Sequence, residues 1–141
     1  MASLAVCQAI ESRLTSNFTA VRLWAKPNTT SQAPSDGAPF LLISYPVANE
    51  DIVALGPPGQ RLYRETGAFV ITLCVNRGEG TEQALAWIET LRTLFRGVDG
   101  TDMASGALIT YAPSPAVEDI TEADPYYRLS FATPYQFDLQ G

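Results

Sequence analysis

Two short stretches of the chain hold residue types that could do chemistry. The first is Asn76-Arg77-Gly78-Glu79-Gly80-Thr81, which joins the apolar run "GAFVITLCV" to the amphipathic run "EQALAWIETLRTLFRG". A glycine-rich turn from strand to helix is a common phosphate cradle, because backbone N–H groups and the positive end of the helix converge on the anion. A nucleotide-hydrolase loop also needs a lysine directly after its second glycine, then Ser or Thr. Here Thr81 and Glu82 follow Gly80. Glu79 and Glu82 would repel a polyanion, and the three-glycine dinucleotide pattern is incomplete. A structural reading accounts for every residue: Gly78 and Gly80 allow the turn, Thr81 caps the helix, and Glu82 complements its positive end.

The second stretch is acidic. Glu118, Asp119, Glu122 and Asp124 fall within a few positions of one another, and carboxylates so grouped can hold calcium. The spacing and glycine of an EF-hand loop are missing, and acidic loops are most often simply solvated. The chain contains no histidine, which removes the commonest general base and the commonest metal ligand together. No Ser, Thr or Cys nucleophile can recruit a histidine base. Cys7 and Cys74 lie far apart on apolar segments, as small buried hydrophobes rather than zinc ligands. No catalytic, cofactor or metal site is expected, and the chain reads as a non-enzyme.

Composition narrows the partners. The chain has 141 residues, which favours one domain, and 46% hydrophobic residues, which suits a packed core. Its formal net charge is −6 with nine Lys and Arg residues, so the basic sheath of a nucleic-acid binder is missing. No apolar run approaches the ~20 residues that span a bilayer. The start, "MASLAVCQAIESRL", lacks a basic leader, and the expectation is manufacture in the cytoplasm.

The elements follow from periodicity. Cys7, Ile10, Leu14 and Phe18 recur at helical spacing, opened by Ser3. "AVRLWA" alternates as a short strand. Residues 27–39 are proline-rich without a large apolar side chain until the end, and form an exposed loop. "PFLLISY" is apolar on both faces and reads as a central strand. Residues 46–66 read as a projecting arm or hairpin around Pro57-Pro58-Gly59, with "QRLYRE" as a polar edge strand. "AFVITLCV" is the most apolar strand. The helix after the turn places Ala84, Leu85, Ile88, Leu91 and Phe95 on one stripe, with Trp87 at its rim and Gly97 as a left-handed cap. "ALITYA", an acidic loop over 113–125, and "YYRLSFATPYQFDL" close the chain, with Pro134 imposing a break, edge or bulge. The fold class is α+β: one mostly antiparallel sheet, two helices on one face and a projecting arm.

This order of features resembles the tail terminator proteins of long-tailed bacteriophages, the lambda-type family. The resemblance spans nearly the whole chain by layout. It is most recognisable in "GAFVITLCVNRGEGTEQALAWIETLRTLFRG" and in the closing "YYRLSFATPYQFDL". It implies a subunit of a homo-oligomeric ring, hexameric in that family, which caps the tail tube, ends its growth and offers a surface to a head–tail connector or stopper protein. It also implies a place in the virion tail or neck, assembly in the host bacterial cytoplasm, and DNA passing through the lumen without specific binding. No membrane is involved. Other phage neck and tail-completion proteins share the outline, and a small metal- or ligand-binding domain using the acidic loop is the rival from a different class. In a ring, Arg61, Leu62, Tyr63 and Arg64 of the arm are the expected hook onto a neighbour or the tube. Glu118, Asp119, Glu122 and Asp124 are the expected lumen- or partner-facing acids.

Overall fold

The computed structural model describes residues 1–29, 34–99, 107–119 and 125–140. Helix α1 spans Leu4–Asn17, and strand β1, Arg22–Ala25, runs parallel to the start of β2, Phe40–Ala54. Strand β3 is Leu62–Asn76, helix α2 is Glu82–Phe95, and the short strands β4 and β5 are Leu108–Thr110 and Val117–Asp119. Strand β6, Tyr126–Gln140, closes the order. Among the described residues the strands form one sheet in the order β1-β2-β3-β6-β4, with β5 pairing the other half of the same β6 edge. Every pairing except β1 with β2 is antiparallel. The α+β architecture expected from the sequence is the one observed.

One face of the sheet carries the core. Leu41, Ile43, Phe69, Ile71, Leu73, Leu129 and Phe131 are buried against Val6, Ile10 and Leu14 of α1 and Ala84, Ile88, Leu91 and Phe95 of α2. The alternation along each strand explains this: odd positions of β3 from Phe69 to Val75 all face the helices. Phe69 and Phe95 meet edge to face at 5.1 Å between ring centres, joining β3 to the end of α2. Beyond Phe95, the Thr110 hydroxyl donates to the Phe95 carbonyl at 2.6 Å and accepts the Val98 N–H at 3.0 Å. Groups left open by the end of the helix are thereby tied to β4. Gly97 has φ +61°, the left-handed cap the sequence predicts.

Several expectations change. Leu85 is 42% exposed and does not join the stripe of α2. It stands one position from Ala84, about 100° round the helix, and so leaves the sheet side. Thr81 and Ser3 occupy N-cap positions, but neither side chain makes the capping bond. Thr81 contributes its carbonyl instead, which accepts the Leu85 N–H at 2.8 Å. "QRLYRE" is not an edge: β3 lies between β2 and β6 from Leu62 to Cys74. Nor does Pro134 interrupt β6. The Pro134 carbonyl accepts the Tyr111 N–H at 2.9 Å, and N and C=O of one antiparallel residue point the same way. The missing N–H of Pro134 therefore falls on the side where β4 ends, and pairing with β3 continues.

The irregularity that Pro134 was expected to impose appears two strands away. Between Ser44 and Val47 the register of β2 against β3 shifts, so Tyr45 and Pro46 form a bulge. Pro46 is tolerated because β1 pairs only with Phe40–Leu42, leaving the outer side of β2 without a described strand partner from there on. Across the bulge, Gly67 admits no side chain: an added Cβ would stand 2.2 Å from the Val47 carbonyl oxygen. Gly67 and Ala68 are paired with Tyr135 and Pro134 without a register shift, so the irregularity stays between β2 and β3. Beyond it the three strands run on into the arm.

Candidate assembly interface

The arm is a three-stranded extension built from the ends of β2, β3 and β6, with β4 along its far edge. The turn between β2 and β3 is closed by the Gln60 N–H donating to the Pro57 carbonyl at 2.9 Å, and Arg61 Nε donates to the Gly56 carbonyl at 3.0 Å. Leu62, Tyr63 and Arg64 are half-buried on the central strand, each with a neighbour on both sides. Arg64 makes two bonds to Asp138 of β6, Nε to Oδ1 at 2.8 Å and Nη2 to Oδ2 at 3.1 Å. The bidentate fork ties β3 to β6 at the margin of the core, where Leu139 is only half-buried.

Hydrogen bonding from the Arg64 guanidinium holds the Asp138 carboxyl below its usual value of 3.8. A depressed carboxylate contributes stability above its unfolded pKa and loses it as pH falls through the folded one. Asp138→Asn is therefore expected to lower stability at about pH 7 and to make no difference at about pH 2, as urea unfolding at both values will show.

At the root of the arm lies a polar knot. Glu65 is 6% exposed. Its Oε2 accepts the Tyr135 hydroxyl at 2.6 Å and the Ser3 N–H at 3.2 Å, just before α1. The carboxylate takes up the N-cap N–H itself, the role of the acidic partner in a capping box, and it sits where the helix dipole favours negative charge. Burial, then the hydrogen bond to Glu65, pushes the Tyr135 hydroxyl well above the usual phenol range, so it remains a donor. Residues 3, 65 and 135 are brought together only by strand pairing and helix docking, so no local pattern announces them.

The arm's outer strand is where the molecule is least satisfied. Val47, Ile52, Val53 and Leu55 are all exposed, Leu55 at 86%. The signal for them was present in "DIVAL", an apolar run ending at a Pro-Pro-Gly tip that no core can reach. A long exposed edge with apolar side chains is a template for another chain unless something covers it.

The acidic stretch does not form a cluster in the described residues. Glu118 and Asp119 are exposed, successive residues of β5, so their side chains point to opposite faces. Glu118 sits on the side of Tyr127, whose hydroxyl is raised by burial and then by its hydrogen bond to Glu118. Asp119 is paired in register with Arg128. Glu122 and Asp124 lie outside the described residues. Among the described residues no group of three His, Cys, Asp or Glu is placed to hold a metal ion. Cys74 is buried and Cys7 half-buried, and neither is in a disulfide.

The glycine turn forms a shallow concavity of about 250 Å³ with Asn76, Arg77 and Tyr127. Gly78 and Gly80 have φ of +86° and +78°, the left-handed values that make the turn. Glu79 and Glu82 stand exposed beside it, and Glu118 lies behind Tyr127, an arrangement that disfavours an anion.

A single α+β layer pair with an uncovered apolar arm has the form of an assembly subunit, and the comparisons with known proteins fall in that class. A chain from the virion of a native gene transfer agent particle is 17% identical and matches over 99% of this chain and 100% of that one, with a TM-score of 0.60. A further solved structure, 22% identical, matches over 97% of this chain and 96% of its own, also at 0.60. At these identities the likeness is one of fold. No curated protein sequence matches the chain. The family model described as phage tail terminator protein matches residues 5–135, and the chain belongs to that family. It is a structural protein of the phage tail.

Proposed function

We propose that this chain is the subunit of a closed ring, hexameric as the family resemblance implies, which caps the tail tube, ends its polymerisation and presents the surface for head–tail joining. The observation that carries the reading is the arm: an extension with exposed Val47, Ile52, Val53 and Leu55 on a strand edge that no described strand covers. A ring pairs different patches on adjacent copies, and a contact of the usual size would bury ~800 Å² per partner. In this reading the partners are further copies of the chain, the tail tube protein and a connector or stopper protein, and no cofactor takes part. Arg61, Leu62, Tyr63 and Arg64 hold the arm in the shape its neighbour needs. Glu118, Asp119, Glu122 and Asp124 are partner- or lumen-facing acids, which suits a channel that DNA must traverse without sticking.

The test is to add the protein to polymerising tail tube protein and image the products by negative stain. Sixfold rings at the ends of shortened tubes are the expected result. Tubes of unchanged length with bare ends would sink the reading. Replacing Arg61, Tyr63 and Arg64 together by alanine is expected to leave the helical circular dichroism signal in place and reduce the fraction of capped ends. Capping at the wild-type level would remove these residues from the interface.

A further inference from the structure

Between the end of α1 and β1 lies a cavity of about 270 Å³ lined chiefly by Leu14, Phe18, Val21, Leu23 and Leu41, with Thr19 and Arg22 at its rim. It is smaller than the ~300–1,000 Å³ typical of small-molecule sites and has no convergent set of polar groups to orient a ligand. An aliphatic side chain is the occupant its size and lining suit. Among the described residues the most exposed aliphatic side chain is Leu55, at the tip of the arm.

Socket and knob belong to one strand: Leu41 lines the cavity near the start of β2, and Leu55 follows its last residue, Ala54. At ~3.3 Å per residue the fourteen steps between them span roughly 40–45 Å, less the slack of two irregular positions. No subunit can fill its own socket, whereas a second copy can. We propose that Leu55 of one copy inserts into the α1–β1 socket of the next, a head-to-tail contact that rests on the ring reading above and names its interface.

Charge agrees with this pairing. Among the described residues Arg22 is the charged one lining the socket, and Glu50 and Asp51 stand exposed on β2 a few residues before the knob. Arg22 is bridged to Asp36 at 2.7 Å, but both side chains are about half exposed. Such surface pairs are worth little, so the guanidinium can exchange one carboxylate for another at small cost. The outer edge of β2 gives the arm a second reason to lie against a neighbour, since it has no described strand partner beyond Leu42.

The experiment mixes two single variants, Leu55→Cys and Thr19→Cys, at concentrations where light scattering detects association, and oxidises the mixture. A disulfide-linked heterodimer carrying one copy of each is expected. The double variant should give a ladder of dimer, trimer and higher species that collapses on reduction. Either variant oxidised alone controls for Cys7 and Cys74. Leu55→Asp should weaken self-association roughly tenfold to a hundredfold, the scale of one buried leucine, with no change in melting temperature. Mixed variants that give no heterodimer, or a Leu55→Asp variant that associates like wild type, overturn the proposal. Rings at tube ends without the Leu55–Thr19 link would sink the socket and leave the ring. The link without rings would do the reverse.

Discussion

Gly67→Ala is expected to destabilise the chain by about 3 kcal/mol or more, the top of the usual range for overpacking and beyond. The cause is space, since Gly67 sits in ordinary strand geometry and is not among the left-handed glycines. A Cβ there would lie 2.2 Å from the Val47 carbonyl oxygen, 3.0 Å from Ala48 Cα and 3.0 Å from the Tyr135 hydroxyl. Two of those three atoms are backbone and cannot rotate away. The third is the hydroxyl that bonds Glu65, so relief in that direction breaks the knot at the start of α1. For a domain of this length ~3 kcal/mol corresponds to a fall in melting temperature of roughly 6–12 °C. Gly78→Ala is the control, because nothing lies within 4 Å of its Cβ position and only the φ of +86° is strained. It should cost about 1–2 kcal/mol. Calorimetry that ranked the two variants in the opposite order would show that the bulge at Tyr45 and Pro46 opens freely.

The contrast marks what could be read in the sequence. The turn glycines were legible because their neighbours in the chain, a strand and a helix, dictate what the turn must do. Gly67 was not, because its reason lies on strands 20 and 68 residues away (Val47 and Tyr135). Glu65 escaped for the same reason: in sequence it is one more charged residue of a polar segment, and only docking of α1 and β6 buries it. The core strands were legible through their unbroken apolar character, and α1 through its spacing. The arm's topology was not. Its outer strand carries charged and apolar side chains that are largely exposed, and "QRLYRE" looked like an edge while occupying the middle. Pro134 misled, since it was read as a break, edge or bulge that its ladder with β3 does not show. A proline forbids pairing on one side only, and which side is free depends on neighbours the local sequence does not contain.

The candidate interface was legible in kind more than in place. Length and a Pro-Pro-Gly tip identify an arm, and an arm whose outer strand is exposed has a use beyond the core. The residues singled out first, Arg61–Arg64, owe their prominence to charge and aromaticity. In the fold those side chains are half-buried, with Arg61 bonded to the Gly56 carbonyl and Arg64 to Asp138. The exposed apolar surface belongs to the neighbouring strand, from Val47 to Leu55, within the stretch read only as an arm. Burial decides between these two sets, and burial is set by the third strand, β6.

Helix α2 offers the sharpest test of the packing. Leu91→Asp is expected to unfold the domain. Leu91 is fully buried against the sheet, so the variant loses about 1.5–3 kcal/mol of transfer energy and also confines a carboxylate without a partner, at several kcal/mol more. That sum reaches the whole stability of a typical domain, about 5–15 kcal/mol. Leu85→Asp, six residues earlier on the same helix, changes the same atoms on the other side. With 42% of its surface already in water it should shift stability by no more than about 0.5–1 kcal/mol. It also places a second acid near the positive end of α2, beside Glu82, which the helix dipole favours. Circular dichroism melting of the two variants side by side separates the possibilities. Loss of the transition in both would mean that Leu85 is covered by something in solution, a neighbouring copy being the first candidate. Retention in both would mean that α2 is not the helix that closes the core.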